Sequence, residues 1–165
     1  MHVLILPISL LALLLSGGIF GFFYAWVCST MWGLDAADPR VAIEAMQAMN
    51  DSVRNAVFAP AFFGTPIVAL AAAALAWLDS RRRAAVAFGA AGILYLFGAF
   101  AVTMVVNVPM NEALAQVVIP VDIETAGQVW TAYSAPWQFW NALRTVVSGL
   151  SLMLAGWGLV MLKRR

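Results

Sequence analysis

The sequence is poor in charge, cysteine and histidine. Only 10% of its 165 residues are charged and 64% are hydrophobic, a balance typical of a membrane protein rather than a soluble one. A formal net charge of +1 provides no field that would recruit nucleic acid. The single cysteine, Cys28, excludes an internal disulfide, and the single histidine, His2, excludes a metal site built from several histidines. No spacing of carboxylates and amides argues for a metal site either.

Four apolar stretches are long enough to cross a membrane. A spanning helix needs about 20 apolar residues, because lipid offers no hydrogen-bond partner to an exposed backbone. The stretches cover residues 3–29, 56–78, 84–106 and 139–162, and none contains an acidic residue. The first is too long for the apolar core of a signal peptide, so we interpret it as a retained span. The predicted fold is all-α: a single membrane domain over residues 1–165 that forms a four-helix transmembrane bundle and associates with membrane lipid.

Basic residues predict the orientation of the bundle. Arg81, Arg82 and Arg83 lie in the tight turn between spans two and three, and Lys163, Arg164 and Arg165 follow span four. Short basic segments stay in the cytoplasm, so both termini are predicted to be cytoplasmic in a multi-pass protein of the plasma (inner) membrane. The longer connections, residues 30–55 and 107–138, then lie on the outer side.

The first outer connection predicts an additional amphipathic helix before the second span. Asp38 is a suitable N-cap and Pro39 suits the first helical position, so a helix is expected over residues 39–55. Its polar face carries Arg40, Glu44, Gln47, Asn50, Asp51 and Arg54. This helix either lies along the membrane interface or continues directly into span two.

Polar residues recur every four positions where span three ends, at Thr103, Asn107 and Asn111. Pro109 removes a backbone donor here and is expected to break the helix. The two asparagines then either cap the broken end or face a cavity.

Span four is predicted to open at Ser134-Ala135-Pro136, with Ser134 as the N-cap. A polar stripe follows at helical spacing and consists of Trp137, Asn141, Arg144, Ser148 and Ser151. Arg144 is the most informative residue, because an arginine inside a span must snorkel outward or meet an anion, a carboxylate or water. Its candidate carboxylate partners are Glu44, Asp51 and Glu112. With Tyr24 and Trp32 from span one, these residues predict a pocket at the outer end of the bundle, lined by aromatic rings and amides around a buried cation.

Four segments together resemble the DUF1772 family of small membrane proteins, the anthrone oxygenase-like family. They are Met31-Trp32-Gly33-Leu34, Ala45-Met46-Gln47-Ala48-Met49-Asn50, Asn107-Val108-Pro109-Met110-Asn111 and Trp137-x-x-x-Asn141-x-x-Arg144. The resemblance implies an activity in which dioxygen oxidises an anthrone, or a similar lipophilic phenol, to a quinone without a bound metal, flavin or other cofactor.

Under that activity each residue of the predicted pocket has a role. Arg144 would stabilise the oxyanion of the enolate, with Asn141, Asn107 and Asn111 as neutral donors. Trp137 and Trp32 would stack on the flat substrate, and Asn50, Arg54 and Tyr24 complete the predicted substrate-binding set. A base is also needed, and Glu44 or Asp51 is the candidate.

Two other functions account for the same polar stripe. In a non-catalytic membrane subunit, Arg144, Asn141 and Asn107 would hydrogen-bond between helices and hold the bundle together. A transporter has less support, because the acidic residues lie outside the spans and no inverted repeat is visible. The two leading hypotheses differ in one structural respect: a catalytic pocket is hollow, whereas a structural network is filled by its own side chains. The sequence does not indicate an oligomeric state.

Overall fold

The computed structural model describes residues 2–163 of the chain and the side chains of residues 4–163. Within that part the chain is helical and contains no strand. Four helices are long and apolar enough to cross a membrane. The predicted all-α class and the four-helix transmembrane bundle are therefore confirmed. The side chains of His2, Arg164 and Arg165, which the sequence analysis used, lie outside the described residues.

Five helices, α1 to α5, follow one another along the chain. Helix α1 comprises His2–Ala25, the π-helical turn Trp26–Thr30 and Met31–Asp35. Helix α2 is Pro39–Ser52 and helix α3 is Phe58–Leu78. Helix α4 comprises Arg82–Tyr95, the π-helical turns Leu96–Phe100 and Thr103–Asn107, and Val108–Ala115. Helix α5 is Ile123–Lys163. Helices α1, α3, α4 and α5 form the bundle as a ring of antiparallel neighbours in that order, with α5 returning to α1.

Small residues bring the helices together at the turn end of the bundle, where α3 turns into α4 and α5 finishes. Ala72, Ala76 and Ala84 are fully buried there. A Cβ atom on Gly158 would lie 2.9 Å from the ring of Phe88, so the backbone of α5 lies directly against that ring. Arg81 donates to the backbone oxygen of Leu162 and joins the turn to the end of α5. Helix contacts are also tight at Gly92 and Gly149, whereas the Cβ position of Gly21 has no neighbour within 4 Å.

Helix α2 closes the other end of the bundle, which we call the loop end. Its N-cap is Asp38, whose carboxylate accepts the N–H of Arg40 at 2.9 Å. The Arg40 side chain and N–H hold the pKa of Asp38 at about 2. The buried face of α2, with Ile43 and Met46, packs on aromatic side chains of α5. The predicted helix over residues 39–55 ends earlier, at Ser52, and does not run directly into the second span.

The start of α3 explains that early end. Asn55 accepts hydrogen bonds from the N–H groups of Val57 at 2.8 Å and Phe58 at 3.0 Å, so it caps a new helix. The chain therefore turns between α2 and α3 instead of continuing as one rod.

The predicted helix start with Ser134 as the N-cap is wrong. Helix α5 begins eleven residues earlier, at Ile123, and runs through Pro136. Asp122 caps it by accepting the N–H of Thr125 at 2.8 Å. An interior proline costs about 3 kcal/mol. Aromatic burial on both sides of Pro136 offsets that cost, because Trp130, Tyr133 and Trp137 all pack beneath α2.

The predicted break at Pro109 is also wrong, since α4 continues to Ala115. The π-helical turn Thr103–Asn107 ends immediately before the proline, and Pro109 falls in the first turn of the next α-helical segment. A proline inside a continuous helix removes one backbone hydrogen bond, and here that irregularity directly follows a π-helical turn.

Candidate functional site

A pocket of about 580 Å³ lies between the helices at the loop end. Each helix contributes to its lining, and α2 covers it from above. Seven aromatic side chains form its apolar walls: Phe22, Phe23, Trp26, Phe58, Phe62, Phe63 and Trp137. Its polar lining consists of Asn50, Arg54, Asn55, Thr103, Asn111, Glu112, Asn141 and Arg144. The volume is within the range of pockets that bind small molecules, about 300 to 1,000 Å³.

Arg144 is buried in the wall of this pocket, with 4% of its surface exposed. Its Nη1 donates to Oγ1 of Thr103 at 3.1 Å, and its Nη2 donates to Oδ1 of Asn141 at 3.0 Å. Its Nε has no partner among the described residues. No described carboxylate lies within salt-bridge distance of the guanidinium. The charge is therefore buried against neutral groups, and the guanidinium has more N–H groups than partners among the described residues.

Two aromatic faces complete the surroundings of Arg144. Its Cζ lies 4.6 Å from the ring centre of Phe23 and 5.4 Å from that of Trp137. These distances are within the range of cation–π attraction, which offsets part of the cost of burying the charge. The predicted carboxylate partners do not serve this purpose. Glu44 and Asp51 are exposed and lie outside the lining, and Glu112 pairs with Arg54 instead.

Asn141 positions Arg144. Its Oδ1 accepts from the guanidinium, and its Nδ2 donates to the backbone oxygen of Phe23 at 3.1 Å. The amide therefore links α5 to α1 and orients the charge. Asn141 lines the pocket as predicted, but both of its polar atoms already have partners within the protein.

A second network supports the pocket from the α5 side. Oδ1 of Asn111 accepts from the hydroxyl of Tyr133 at 2.8 Å and from Nε1 of Trp137 at 2.9 Å. Nδ2 of Asn50 donates to the Tyr133 oxygen at 3.3 Å. Asn111 and Asn50 thus fix the orientation of the aromatic side chains. Tyr133, which joins α2, α4 and α5, was not identified from the sequence, because the predicted start of span four left it outside the helix.

Asp35 at the end of α1 is a further residue that the sequence did not indicate. Its carboxylate accepts from Trp130 Nε1 at 2.9 Å, Ser134 Oγ at 2.7 Å and Gln138 Nε2 at 2.8 Å. All three donors lie on α5, so Asp35 holds the end of α1 against that helix. This contact places Trp26, one π-helical turn earlier, beside Trp137 with ring centres 5.1 Å apart.

Glu112 is the only acidic residue among the described residues that line the pocket. It faces Arg54 across the opening, with 3.4 Å between Oε1 and Nη2, and both side chains are 59% exposed. From the sequence, Glu112 was predicted only as a candidate carboxylate partner for Arg144. Glu112 lies four residues beyond Val108 on the continued helix α4. Its position could not be predicted from a third span that was expected to end at residue 106.

Four predicted site residues lie elsewhere. Trp32 is 68% exposed and Tyr24 is 50% exposed, and neither lines the pocket. Glu44 is exposed on α2. Asn107 is buried beside the pocket lining, and neither of its amide atoms has a partner among the described residues. Trp26, rather than Trp32, joins Trp137 in the aromatic wall of the pocket.

No three His, Cys, Asp or Glu side chains lie close enough to hold a metal ion within residues 4–163.

A family model described as anthrone oxygenase matches residues 53–154, which is more than half of the chain. The chain belongs to the anthrone oxygenase family. Neither a curated protein nor a solved structure matches it significantly. The matched range includes Arg54, Glu112 and Arg144, which are the charged residues of the pocket lining.

The anthrone oxygenase match leaves α1 and all of α2 outside its range. Two of the segments that carried the resemblance, Met31–Leu34 and Ala45–Asn50, therefore lie outside it, and the other two lie inside. The pocket residues Phe23, Trp26 and Asn50 also come from the unmatched part.

Proposed function

We propose that this integral membrane protein is a cofactor-independent oxygenase that converts an anthrone, or a similar lipophilic phenol, to a quinone in the pocket at the loop end. One observation carries the proposal: a buried arginine without a carboxylate partner lies in the wall of a hollow, aromatic pocket. A structural network would fill that space with its own side chains. The family match supports the reaction class.

The pocket suits a flat polycyclic substrate. The rings of Phe23, Trp26 and Trp137 lie on the side of Arg144, so a polycycle stacked on them presents its oxygen to the guanidinium. Phe58 and Phe62, stacked with 5.3 Å between ring centres, form the opposite apolar wall.

Arg144 favours the enolate of such a substrate. An anthrone loses a proton from the methylene carbon opposite its carbonyl, and the electron pair moves to the carbonyl oxygen. Charge that develops on that oxygen is stabilised by preorganised N–H donors in a site of low dielectric. Arg144 lines the pocket, and its bonds to Thr103 and Asn141 leave one hydrogen on each Nη unused, so it can supply donors of this kind.

Dioxygen then takes electrons from the enolate carbon directly. Combination of the two gives a peroxide at that carbon. Loss of the second hydrogen from the carbon and cleavage of the O–O bond leave a new carbonyl and release water. One anthrone and one dioxygen thus yield one anthraquinone and one water, so no other oxidant is required.

Glu112 is our candidate for the base that removes the methylene proton and later returns it to the departing oxygen. It replaces Glu44, because Glu112 lines the pocket and Glu44 does not. Asn141, Asn111 and Asn50 act as positioning residues through Arg144, Trp137 and Tyr133.

We further infer that the turn end faces the cytoplasm, because Arg81, Arg82, Arg83 and Lys163 lie there. Both termini are then cytoplasmic and the pocket lies on the outer side of the plasma (inner) membrane. Reporter fusions to the C-terminus that are active only in the cytoplasm test this orientation.

Oxygen uptake tests the proposed reaction. The purified protein in lipid nanodiscs, given 1,8-dihydroxyanthrone, should consume oxygen and form the quinone faster than the spontaneous reaction. Arg144→Met should lower turnover about 100- to 1,000-fold, as loss of a preorganised oxyanion donor does. Thermal unfolding should change little, since an apolar residue replaces a buried charge without a counterion.

The matched control is Arg83→Met, which removes an exposed arginine at the turn end and should leave turnover intact. A wild-type rate no faster than the spontaneous one, with the protein folded, would overturn the oxygenase proposal in favour of a structural subunit.

A further inference from the structure

The exposed part of the pocket lining lies on the side of α3 and α4. The lining residues from α1 and α5 are buried or half-buried, so those helices form a closed wall. The exposed lining residues all belong to the start of α3 with the turn before it, or to the second half of α4. They are Arg54, Asn55, Ala56, Phe63, Met104 and Glu112. We call this exposed side of the pocket, bordered by these six residues, the slot.

The two ends of the slot differ in polarity. At the loop end the Arg54–Glu112 ion pair crosses it. Toward the middle of the bundle its edges are Phe63, 49% exposed, and Met104, 43% exposed. Below them the slot closes, because Phe100 of α4 contacts Phe62 and Phe63 of α3 with ring centres 5.1 and 5.6 Å apart.

The apolar edges lie within the membrane-spanning segments. Phe63 belongs to the span Phe58–Leu78, and Met104 belongs to the apolar helix Arg82–Ala115. Met104 also lies in the π-helical turn Thr103–Asn107, which widens α4 at this level. The apolar part of the slot therefore lies between helices that are apolar enough to span a membrane, and the ion pair lies beyond it toward the loop end.

A lipophilic ligand concentrates in the bilayer, because burial of its apolar surface in lipid is favourable. Entry between Phe63 and Met104 keeps that surface out of water throughout. Entry at the loop end requires the ligand to leave the lipid and to pass two charged side chains.

We propose that flat lipophilic substrates enter the pocket laterally from the bilayer, through the slot between Phe63 and Met104. This proposal rests on the proposed function, since it assumes that the pocket is the substrate site. It adds an access route and makes the chain selective for compounds that partition into membranes.

Reversible plugs at single cysteines test the route. In a Cys28→Ser background, which has no other cysteine, Met104→Cys and Phe63→Cys are labelled with benzyl methanethiosulfonate in phosphatidylcholine nanodiscs. The rate at which 1,8-dihydroxyanthraquinone binds is followed by quenching of tryptophan fluorescence, since Trp26 and Trp137 line the pocket. Each label is then removed with reductant and the rate is measured again.

Matched controls are available one position or one turn away. Val105→Cys and Ile67→Cys carry the same label on residues that are 73% and 66% exposed and do not line the pocket. Ala56→Cys carries it at the polar end of the slot.

Labels at positions 63 and 104 should slow association about tenfold, reversibly, and the controls at 67 and 105 should not. Equal rates for position 104 and position 105, or slowing only at position 56, would overturn lateral entry. Oxygen uptake separates this result from the proposed reaction: binding that is slowed by the plugs without any turnover supports the route and overturns the oxygenase. Wild-type protein that does not bind the quinone would overturn both.

Discussion

The helices of this bundle pack closely in one half and are held apart around a pocket in the other half. At the turn end, glycine and alanine let helices approach until backbone meets side chain, as Gly158 does with Phe88. At the loop end, aromatic side chains and hydrogen-bonded amides hold the same helices apart around a pocket. All three π-helical turns among the described residues lie in the loop half, from Trp26–Thr30 to Thr103–Asn107. Tight packing in one half thus permits a hollow in the other, because the turn end supplies the rigidity that an open pocket lacks.

The largest expected effect beyond Arg144 concerns the carboxylate at the slot. Glu112→Gln should lower turnover about 100-fold, because the amide cannot accept the methylene proton. Its control is Glu44→Gln, which changes the exposed carboxylate of α2 and should leave the rate unchanged. Oxygen uptake with 1,8-dihydroxyanthrone measures both. Equal rates for Glu112→Gln and wild type would exclude Glu112 as the base.

The next largest effect should be a loss of folding stability caused by a substitution at the turn end. Gly158→Ala places a methyl group 2.9 to 3.0 Å from three atoms of the buried Phe88 ring. Overpacking of this kind costs about 1–3 kcal/mol in the free energy of unfolding. Gly21→Ala is the control, because its Cβ would have no neighbour within 4 Å. Unfolding measured in detergent should distinguish Gly158→Ala from Gly21→Ala. Similar stabilities of the two variants would contradict tight packing at the turn end.

The smallest effect should come from Asn107, and with the opposite sign. Its buried amide has no partner among the described residues, so Asn107→Leu should raise stability by about 1 kcal/mol. Asn141→Leu should instead lower it by about 1–3 kcal/mol, since Arg144 and the Phe23 oxygen would lose their partner. If Asn107→Leu slows turnover and does not raise stability, this prediction is wrong and the Asn107 amide belongs to the binding site.

Three residues of the predicted polar stripe of α5 come together in the structure. Trp137, Asn141 and Arg144 share one face because they recur at helical spacing, and they do line the pocket. Trp32, Tyr24 and Glu44 lie outside the lining, because the direction of each side chain depends on how α1 ends and how α2 lies across the bundle.

Proline was the main source of error along the chain. Local rules end a helix near Pro109 and begin one near Pro136, yet α4 and α5 run through both. The contacts that outweigh these rules are long-range: Trp130 and Ser134 bind Asp35, about 95 residues away in sequence. A local sequence pattern does not predict such contacts. For the same reason the roles of Tyr133 and Asp35 were not predicted.

The sequence by itself determined the class of the protein: four apolar segments in a chain with 10% charged residues require spanning helices, since lipid leaves no other way to satisfy the backbone. It also identified Arg144, because a lone arginine within a span stands out in composition alone. Only the tertiary structure decided that this charge has no carboxylate partner, that Glu112 lines the pocket and that the slot lies on the side of α3 and α4. These features depend on which side chains of different helices meet, and that depends on packing across the whole bundle rather than on any one segment.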